Sequence, residues 1–433
     1  MKVLVIGSGA REHTLVWKLK QSKYVSDIYI TPGNAGVNQI AEPVNIKPDS
    51  FRELAHFASR NCIDLTIVGP EELLSQGIVD YFISQNLRIF GPTKIASQIE
   101  TSKVFSKEFM RRHRIPTASY KVFEDVKGAL KFLETHKLPL VIKADGLTGG
   151  KGTFIINDPE EAKSIISHLM IERAWGEAGK RIIIEECLEG EEVSFFALTD
   201  GREVLPLMPI RDYKRLYDDD EGPNTGGMGA VAPHMMVNEK ITKDIMDKVI
   251  YPAVEGMMAE GYPFKGALYA GIMITQKGIK VLEFNCRLGD PETEVMMPLL
   301  RSDILELLYL TAEGRLDEAE IFWSNEKACS VVLASEGYPK RYKRGALITG
   351  LNDIEDEDII VFHAGTDKKD NDYISSGGRV LAITGIGQTY EEAITRAYNG
   401  VDKIAFERAI YRNDIGDSFL ESLNTKQDYF FNF

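Results

Sequence analysis

In IKVLEFNCRLGDPE, residues 279–292, strand alternation puts Glu283, Asn285 and Arg287 on one face and Leu282, Phe284 and Cys286 on the other. A carboxylate and an amide oxygen two residues apart are two hard oxygen ligands, a set that suits Mg²⁺, which completes its octahedron with water and substrate phosphate. The plainer alternative is a solvated strand face. Against it stands the turn Gly289-Asp290-Pro291 at the strand end, where the loops that rim a site are found.

A second stretch, VIKADGLTGGKGT (141–153), runs a strand carrying Lys143 into a loop with Gly146, Gly149, Gly150, Lys151 and Gly152. It is not a Walker P-loop, which would need glycine at Asp145 and Ser or Thr at Gly152. A glycine loop can nevertheless close its N–H groups over phosphates. Lys143 sits among apolar residues, where an ammonium is costly unless an anion meets it, and phosphate is the anion expected; a flexible hairpin with solubilising lysines is the alternative.

The opening Gly7-Ser8-Gly9-Ala10-Arg11-Glu12-His13 follows a strand and starts a helix, so its N–H groups and the fixed cation of Arg11 could hold a phosphate or carboxylate. The dinucleotide fingerprint would need glycine in place of Glu12 and an acid in place of Thr31, which demotes nicotinamide binding. RIIIEECLEGEEVSFF offers Glu185, Glu186, Glu191 and Glu192 between two strands. That segment reads either as a hairpin with an acidic turn or as a linker whose backbone meets an adenine edge and whose carboxylate accepts ribose hydroxyls. The run Asp218 to Glu221 reads as a solvated loop, and the seven histidines show no metal-ligand spacing.

Several elements must position these residues. KVLVIG, DIYITPG, LTIVGPE and LRIFGPT alternate with helical stretches through residue 100, the pattern of a doubly wound parallel α/β domain. A helix from Thr101 to about Arg114 is ended by Pro116. Residues 118–200 are β-rich around two helical stretches, a small α+β unit with the makings of a lid. GALYAGIMIT and IKVLEFN pair across a turn at 276–278, and a last block with its own strands and a helix begins near 325.

At 433 residues with 44% hydrophobic and 27% charged residues, the chain is expected to be a soluble multidomain protein. It shows no signal-peptide pattern or membrane-length apolar run and is read as cytoplasmic. A net charge of −14 argues against nucleic acid as a partner, while leaving small phosphorylated ligands open. Four scattered cysteines with no Cys-x-x-Cys pair are expected to be buried apolar residues.

Taken in order, GSGAREH, PGNAG, IVGPE, PTASY, IKADGLTGGKG, EECLEGEEVSFF, GPNTGGMGA, EFNCRLGDPE and SVVLASEGYP resemble the glycinamide ribonucleotide synthetases (phosphoribosylamine–glycine ligases) of the ATP-grasp superfamily, over nearly the whole chain. The resemblance implies a substrate domain at 1–100, a central catalytic domain at 101–114 and 188–325, a lid at 115–187 and a carboxyl-terminal domain at 326–433. It implies a monomeric ligase joining glycine to 5-phosphoribosylamine through glycyl phosphate, with ATP and Mg²⁺ or Mn²⁺, in purine synthesis. By the same resemblance Lys103 and Lys143 contact phosphates under the loop Gly146–Gly152. Glu185 and Leu188 form the adenine hinge, and Glu192 binds ribose. Glu283 and Asn285 hold metal, Arg287 and Lys143 act in catalysis, and Gly9, Arg11, Asn34, Arg287 and Asp290 meet substrate. The sequence departs from the family at Thr148-Gly149, where Ala-Ala is usual, and at Tyr213, where His is usual. Rival readings are another ATP-grasp ligase with a different acceptor, a nicotinamide dehydrogenase and a non-catalytic nucleotide sensor.

Overall fold

The computed structural model describes residues 1–149 and 152–424; Gly150 and Lys151 of the glycine loop lie outside the described residues. The amino-terminal sheet is parallel, in the order Glu42–Pro43, Asp27–Pro32, Lys2–Gly7, Leu65–Val68, Ile89–Phe90. Its first strand is central and covered on both faces, which is why KVLVIG reads as continuous apolar rather than alternating. The strand order reverses about that strand, so a crevice opens at the carboxyl ends of Lys2–Gly7 and Leu65–Val68, where the GSGAREH turn and Pro70-Glu71 stand.

Four antiparallel strands, Tyr120–Phe123, Ile182–Glu186, Leu140–Ala144 and Thr153–Ile156, form a second sheet. Alternation sorts its faces. Leu140, Ile142, Ala144, Ile182 and Ile184 enter an apolar core with the helices Val126–Leu133 and Pro159–Met170, which leaves Val141, Lys143 and Glu185 on the other face. Each helix starts at an aspartate, Asp125 or Asp158, whose carboxylate accepts N–H groups of the first turn.

The third sheet runs Val204–Pro206, Glu191–Thr199, Gly266–Thr275, Gly278–Asn285, all antiparallel. Glu191–Thr199 therefore leaves the sheet that holds Ile182–Glu186, so EECLEGEEV is a crossing between sheets and not a hairpin. The expected pairing of GALYAGIMIT with IKVLEFN is present, Thr275 opposite Gly278, with an irregularity between Gly271 and Ile272. A helix, Lys103–Arg112, capped by the Ser102 hydroxyl, joins this body to the first domain through a shared core that includes Phe109, Met110, Phe195 and Leu268.

The last block contributes Lys327–Ser335, Arg379–Gly387 and Ile359–His363 to a mixed-origin sheet, completed by Gly229–Ala232 and Arg211–Asp212 from the middle of the chain and covered by the helix Tyr390–Val401. Two expectations need correction. Asp218–Glu221 is anchored, not merely solvated: Asp220 pairs with buried Arg412 at 2.7 Å and Asp218 accepts two hydrogen bonds from Asn413. Cys286 and Cys329 are buried as expected, but Cys62 is exposed and Cys187 only partly covered. No helix among the described residues is long and apolar enough to cross a membrane.

Candidate active site

A cleft of about 600 Å³ lies between the second and third sheets and extends to the crevice of the first. Of the residues singled out from sequence it gathers Arg11, Lys103, Lys143, Gly149, Glu185, Leu188, Glu192, Glu283, Asn285, Arg287 and Asp290. Gly9, Asn34, Gly146 and Gly152 are not among its lining.

Period-2 alternation brings Lys143 to the cleft, but its charge is met inside the protein. Its Nζ is 3.2 Å from Glu185 Oε2 and donates to Leu282 O at 3.1 Å; Lys107 Nζ reaches the same Glu185 oxygen at 3.2 Å. Glu185, buried and flanked by two ammonium groups, thus positions the lysines; it lines the cleft, and its Oε1 has no hydrogen-bond partner among the described residues. Lys107 lies four residues after Lys103, on the same helical face, a spacing that could have identified it from sequence. Burial, and then the charge of Lys143, bring the Lys107 ammonium down to about 8, against the opposing pull of Glu185. Lys103 Nζ donates to Gly146 O at 3.2 Å at the start of the glycine loop.

Glu283 and Asn285 end their strand facing this lysine group, and neither side chain makes a hydrogen bond or ion pair among the described residues. Burial pushes the Glu283 carboxyl up, but Lys103, Lys143, Lys214 and Arg287 outweigh it and hold it below the usual carboxylate range. Two uncommitted oxygen donors beside an excess of cations fit a hard cation shared with a polyphosphate. Among the described residues no cluster of three His, Cys, Asp or Glu side chains could hold a metal ion by itself.

Arg287 is less free than its spacing implies. Its guanidinium lies 3.1 Å from Glu71 and 3.3 Å from Glu100, and these acids raise its affinity for the proton beyond what burial takes away. Glu100 also accepts from Cys286 N at 2.7 Å, which fixes the strand end on the first domain. Glu192 is paired with Lys214, and Asp290 with Arg379 at 3.0 Å. Arg379 comes from the last block and donates to Gly226 O at 2.7 Å; nothing in the spacing around it marked it for the cleft.

The GSGAREH turn corrects a further expectation. Gly9 N–H donates to Glu12 Oε2 at 2.6 Å, Arg11 Nε to Glu12 Oε1 at 2.6 Å, and Arg11 N to Asp290 Oδ2 at 3.4 Å. The helix amino end is thus capped by the protein's own carboxylates. Gly9 serves close approach, since a Cβ there would stand 3.1 Å from both Asp290 and Glu12 oxygens. Asn34, expected at substrate, spends its whole amide internally: Nδ2 donates to Ser8 O and His363 O at 2.9 and 2.7 Å, and Oδ1 accepts from Gly36 and Val37 N–H groups at 2.9 Å.

Models of the phosphoribosylglycinamide synthetase N domain, ATP-grasp (A) domain and C domain match residues 1–100, 101–293 and 328–418. The chain belongs to the phosphoribosylglycinamide synthetase family. Among curated relatives of this family, phosphoribosylamine–glycine ligase of Caldanaerobacter subterraneus is 48% identical over 97% of this chain and 100% of its own. That of Vibrio vulnificus is 47% identical over 96% and 98%. The crystal structure of the Thermotoga maritima phosphoribosylamine–glycine ligase superposes with a TM-score of 0.82 at 33% identity, covering 96% of this chain and 100% of that one. A biotin carboxylase from Campylobacter jejuni shares the fold at 14% identity, with a TM-score of 0.74 over 98% and 96%. This chain is thus an ATP-grasp protein, of a superfamily that binds ATP.

Proposed function

We propose that this chain is an ATP-dependent ligase that converts glycine, 5-phosphoribosylamine and ATP into glycinamide ribonucleotide, ADP and phosphate, as a monomeric cytoplasmic enzyme of purine synthesis. The observation that carries the reading is the uncommitted pair Glu283 and Asn285 opposite Lys103 and Lys143 in a cleft between two sheets. The printed names of the curated relatives support it over nearly the full chain.

In this reading Lys103 and Lys143 bind the ATP phosphates, with Gly146, Gly149 and Gly152 in the loop above them. Leu188 and the crossing backbone meet the adenine edge, and Glu192 accepts the ribose hydroxyls. Glu185 holds Lys107 and Lys143 in place. Glu283 and Asn285 would hold Mg²⁺ or Mn²⁺, which supplies charge neutralisation on the polyphosphate when bound. The γ-phosphoryl group moves to a glycine carboxylate oxygen, giving glycyl phosphate and ADP. The amine of phosphoribosylamine then attacks the acyl carbon, phosphate leaves and the nitrogen loses a proton. Phosphoryl transfer needs positioning and charge neutralisation more than a protein nucleophile. Arg287, held at the strand end by Glu71 and Glu100, faces the transferring charge, and Arg11 with Asp290 forms the substrate end of the cleft.

The test is ADP release with Mg²⁺-ATP, omitting glycine and phosphoribosylamine in turn. Release that requires both is expected. Release indifferent to glycine would mean another carboxylate substrate in the same fold, and no turnover under any combination would leave a nucleotide sensor.

A further inference from the structure

The strand that carries Lys143 runs into the glycine loop at Asp145, whose side chain is 5% exposed. Its Oδ1 accepts from Ser102 Oγ at 2.9 Å and from Val104 N at 3.0 Å, and its Oδ2 lies 2.5 Å from Arg181 Nη2. Its own N–H donates to Ala178 O and Arg181 O, at 3.0 and 3.1 Å. Ser102 and Val104 stand on either side of Lys103, at the start of the helix Lys103–Arg112. The first N–H groups of a helix have no partner within it. Here the Ser102 hydroxyl takes that of Phe105 at 3.1 Å, and Asp145, 41 residues after Val104, takes that of Val104. Lys103 returns the contact, since its Nζ donates to Gly146 O at 3.2 Å. Gly146 lies so close to Ala178 that a Cβ would stand 2.6 Å from the Ala178 Cβ. The base of the loop is therefore wedged between the amino end of this helix and the segment 178–181.

One turn further along, the helix meets the chain entering the second sheet: Lys107 Nζ donates to Thr117 Oγ1 at 2.6 Å, and Tyr120 OH to Glu108 Oε1 at 2.8 Å. Phe109 and Met110 of the same helix fill the core shared with the first domain and the third sheet. These contacts place the sheet as a whole. The Asp145 carboxylate adds the register at the cleft, bonding to the two neighbours of Lys103 from a position two residues after Lys143. Asp145 is not among the residues lining the cleft, so what it does for a ligand passes through the groups it holds.

Resting on the nucleotide site of the ligase reading above, we propose that Asp145 is a positioning residue of that site. It seats the base of the glycine loop on the helix of Lys103, so that the loop, Lys103 and Lys143 converge on one polyphosphate. Groups that bind one ligand together lose much of their effect when one of them stands an ångström out of place.

The experiment measures Mg²⁺-ADP binding to the full chain by calorimetry, with the KM for ATP alongside. Asp145→Ala is expected to weaken Mg²⁺-ADP about tenfold and to raise the KM for ATP in step. The KM for glycine should stay within about twofold of the wild type. Asp145→Asn keeps an acceptor for Ser102 and Val104 and should bind within about threefold of the wild type. Asp158→Ala is the control: Asp158 caps the helix Pro159–Met170 of the same sheet, accepting from the N–H groups of Glu160 and Glu161 at 2.8 and 2.9 Å, and does not line the cleft. Its loss costs comparable stability and should leave the affinity within about twofold. Wild-type affinity in Asp145→Ala overturns the proposal, as does an equal loss in Asp158→Ala, which would mean that any loosening of the sheet weakens the nucleotide. If Asp145→Ala does not fold, the double variant Ser102→Ala, Arg181→Met takes away both side-chain partners of Asp145. Binding at least about threefold weaker then supports the proposal and unchanged binding overturns it. A wild type that binds no Mg²⁺-ADP overturns the nucleotide site itself and this proposal with it.

Discussion

Two polar corners of this molecule, the GSGAREH turn and the end of the strand Gly278–Asn285, look alike as sequence and differ in what the fold does with them. Both follow an apolar strand, both carry an arginine, and both invite an anion or a metal. At the turn the charged and amide side chains have found partners in the chain: Glu12 takes the Gly9 N–H and Arg11 Nε, and Asn34 spends its amide on Ser8, Gly36, Val37 and His363. At the strand end the side chains of Glu283 and Asn285 have taken no hydrogen bond or ion pair among the described residues, although four cations stand near enough to hold Glu283 ionised. Polar groups that satisfy one another build a joint, whereas polar groups held in place and left unsatisfied are the ones available to a ligand.

The largest effect expected from that contrast is on turnover. Glu283→Gln keeps the volume and removes the charge, and kcat should fall on the order of 10²- to 10³-fold, the size typical of losing one preorganised electrostatic contact to a developing charge. Because the Glu283 side chain makes no hydrogen bond or ion pair among the described residues, circular dichroism should stay close to the wild type, while losing the charge that faces four cations should lower the unfolding midpoint modestly. A variant that loses stability and keeps kcat would reverse the comparison, making the strand end structural.

How much of this could be read beforehand follows from the range of each signal. Period-2 alternation is local, and it correctly put Glu283 on the face opposite Phe284; the same alternation in the structure turns Lys143 away from Leu140 and Ile142. The parallel order of the first domain was legible for the same reason, since strands and helices alternate within single stretches of chain. What stands across from a face is set by residues far away in the chain. Within the fold Lys143 meets Glu185; Arg287 is held by Glu71 and Glu100; and Arg379 enters the cleft from a block that reads as separate. Alternation likewise gave no sign that Glu191–Thr199 would leave one sheet for another.

The joint at the turn should reveal itself by acid. His13 is held down to about 3, by burial first and then by the charge of His363, and its Nδ1 accepts the His363 N–H at 2.9 Å. His363 is held down to about 4, by burial first and then by Lys368. Both are neutral in the folded state, whereas an unfolded imidazole takes its proton near 6.5. Their contribution is therefore fully present above about pH 6.5 and is lost as pH falls from there toward 4 and 3, because the unfolded chain binds the protons first. Between pH 7 and pH 5 the expected loss is about 2 kcal/mol for each imidazole. Denaturant unfolding at the two pH values measures it, and His13→Asn, which retains an acceptor for His363 N–H, should remove about half of the slope. A variant with the wild-type slope would mean that His13 is reached by water in the folded state.

The smallest effect tests whether Asn34 belongs to the joint or to the site. In Asn34→Ala the carbonyls of Ser8 and His363 and the N–H groups of Gly36 and Val37 all lose their partner. Asn34 is buried, so water replaces those bonds poorly, and a cost of about 1–3 kcal/mol is expected. Since Asn34 is not among the cleft lining, the KM values for ATP, glycine and phosphoribosylamine should stay within about twofold of the wild type when measured well below the unfolding midpoint. The His363 carbonyl ties the first domain to the last block, so the loss of stability should appear in the unfolding of both together. A raised KM for phosphoribosylamine at unchanged stability would instead return Asn34 to the substrate and open the corner that the hydrogen bonds close.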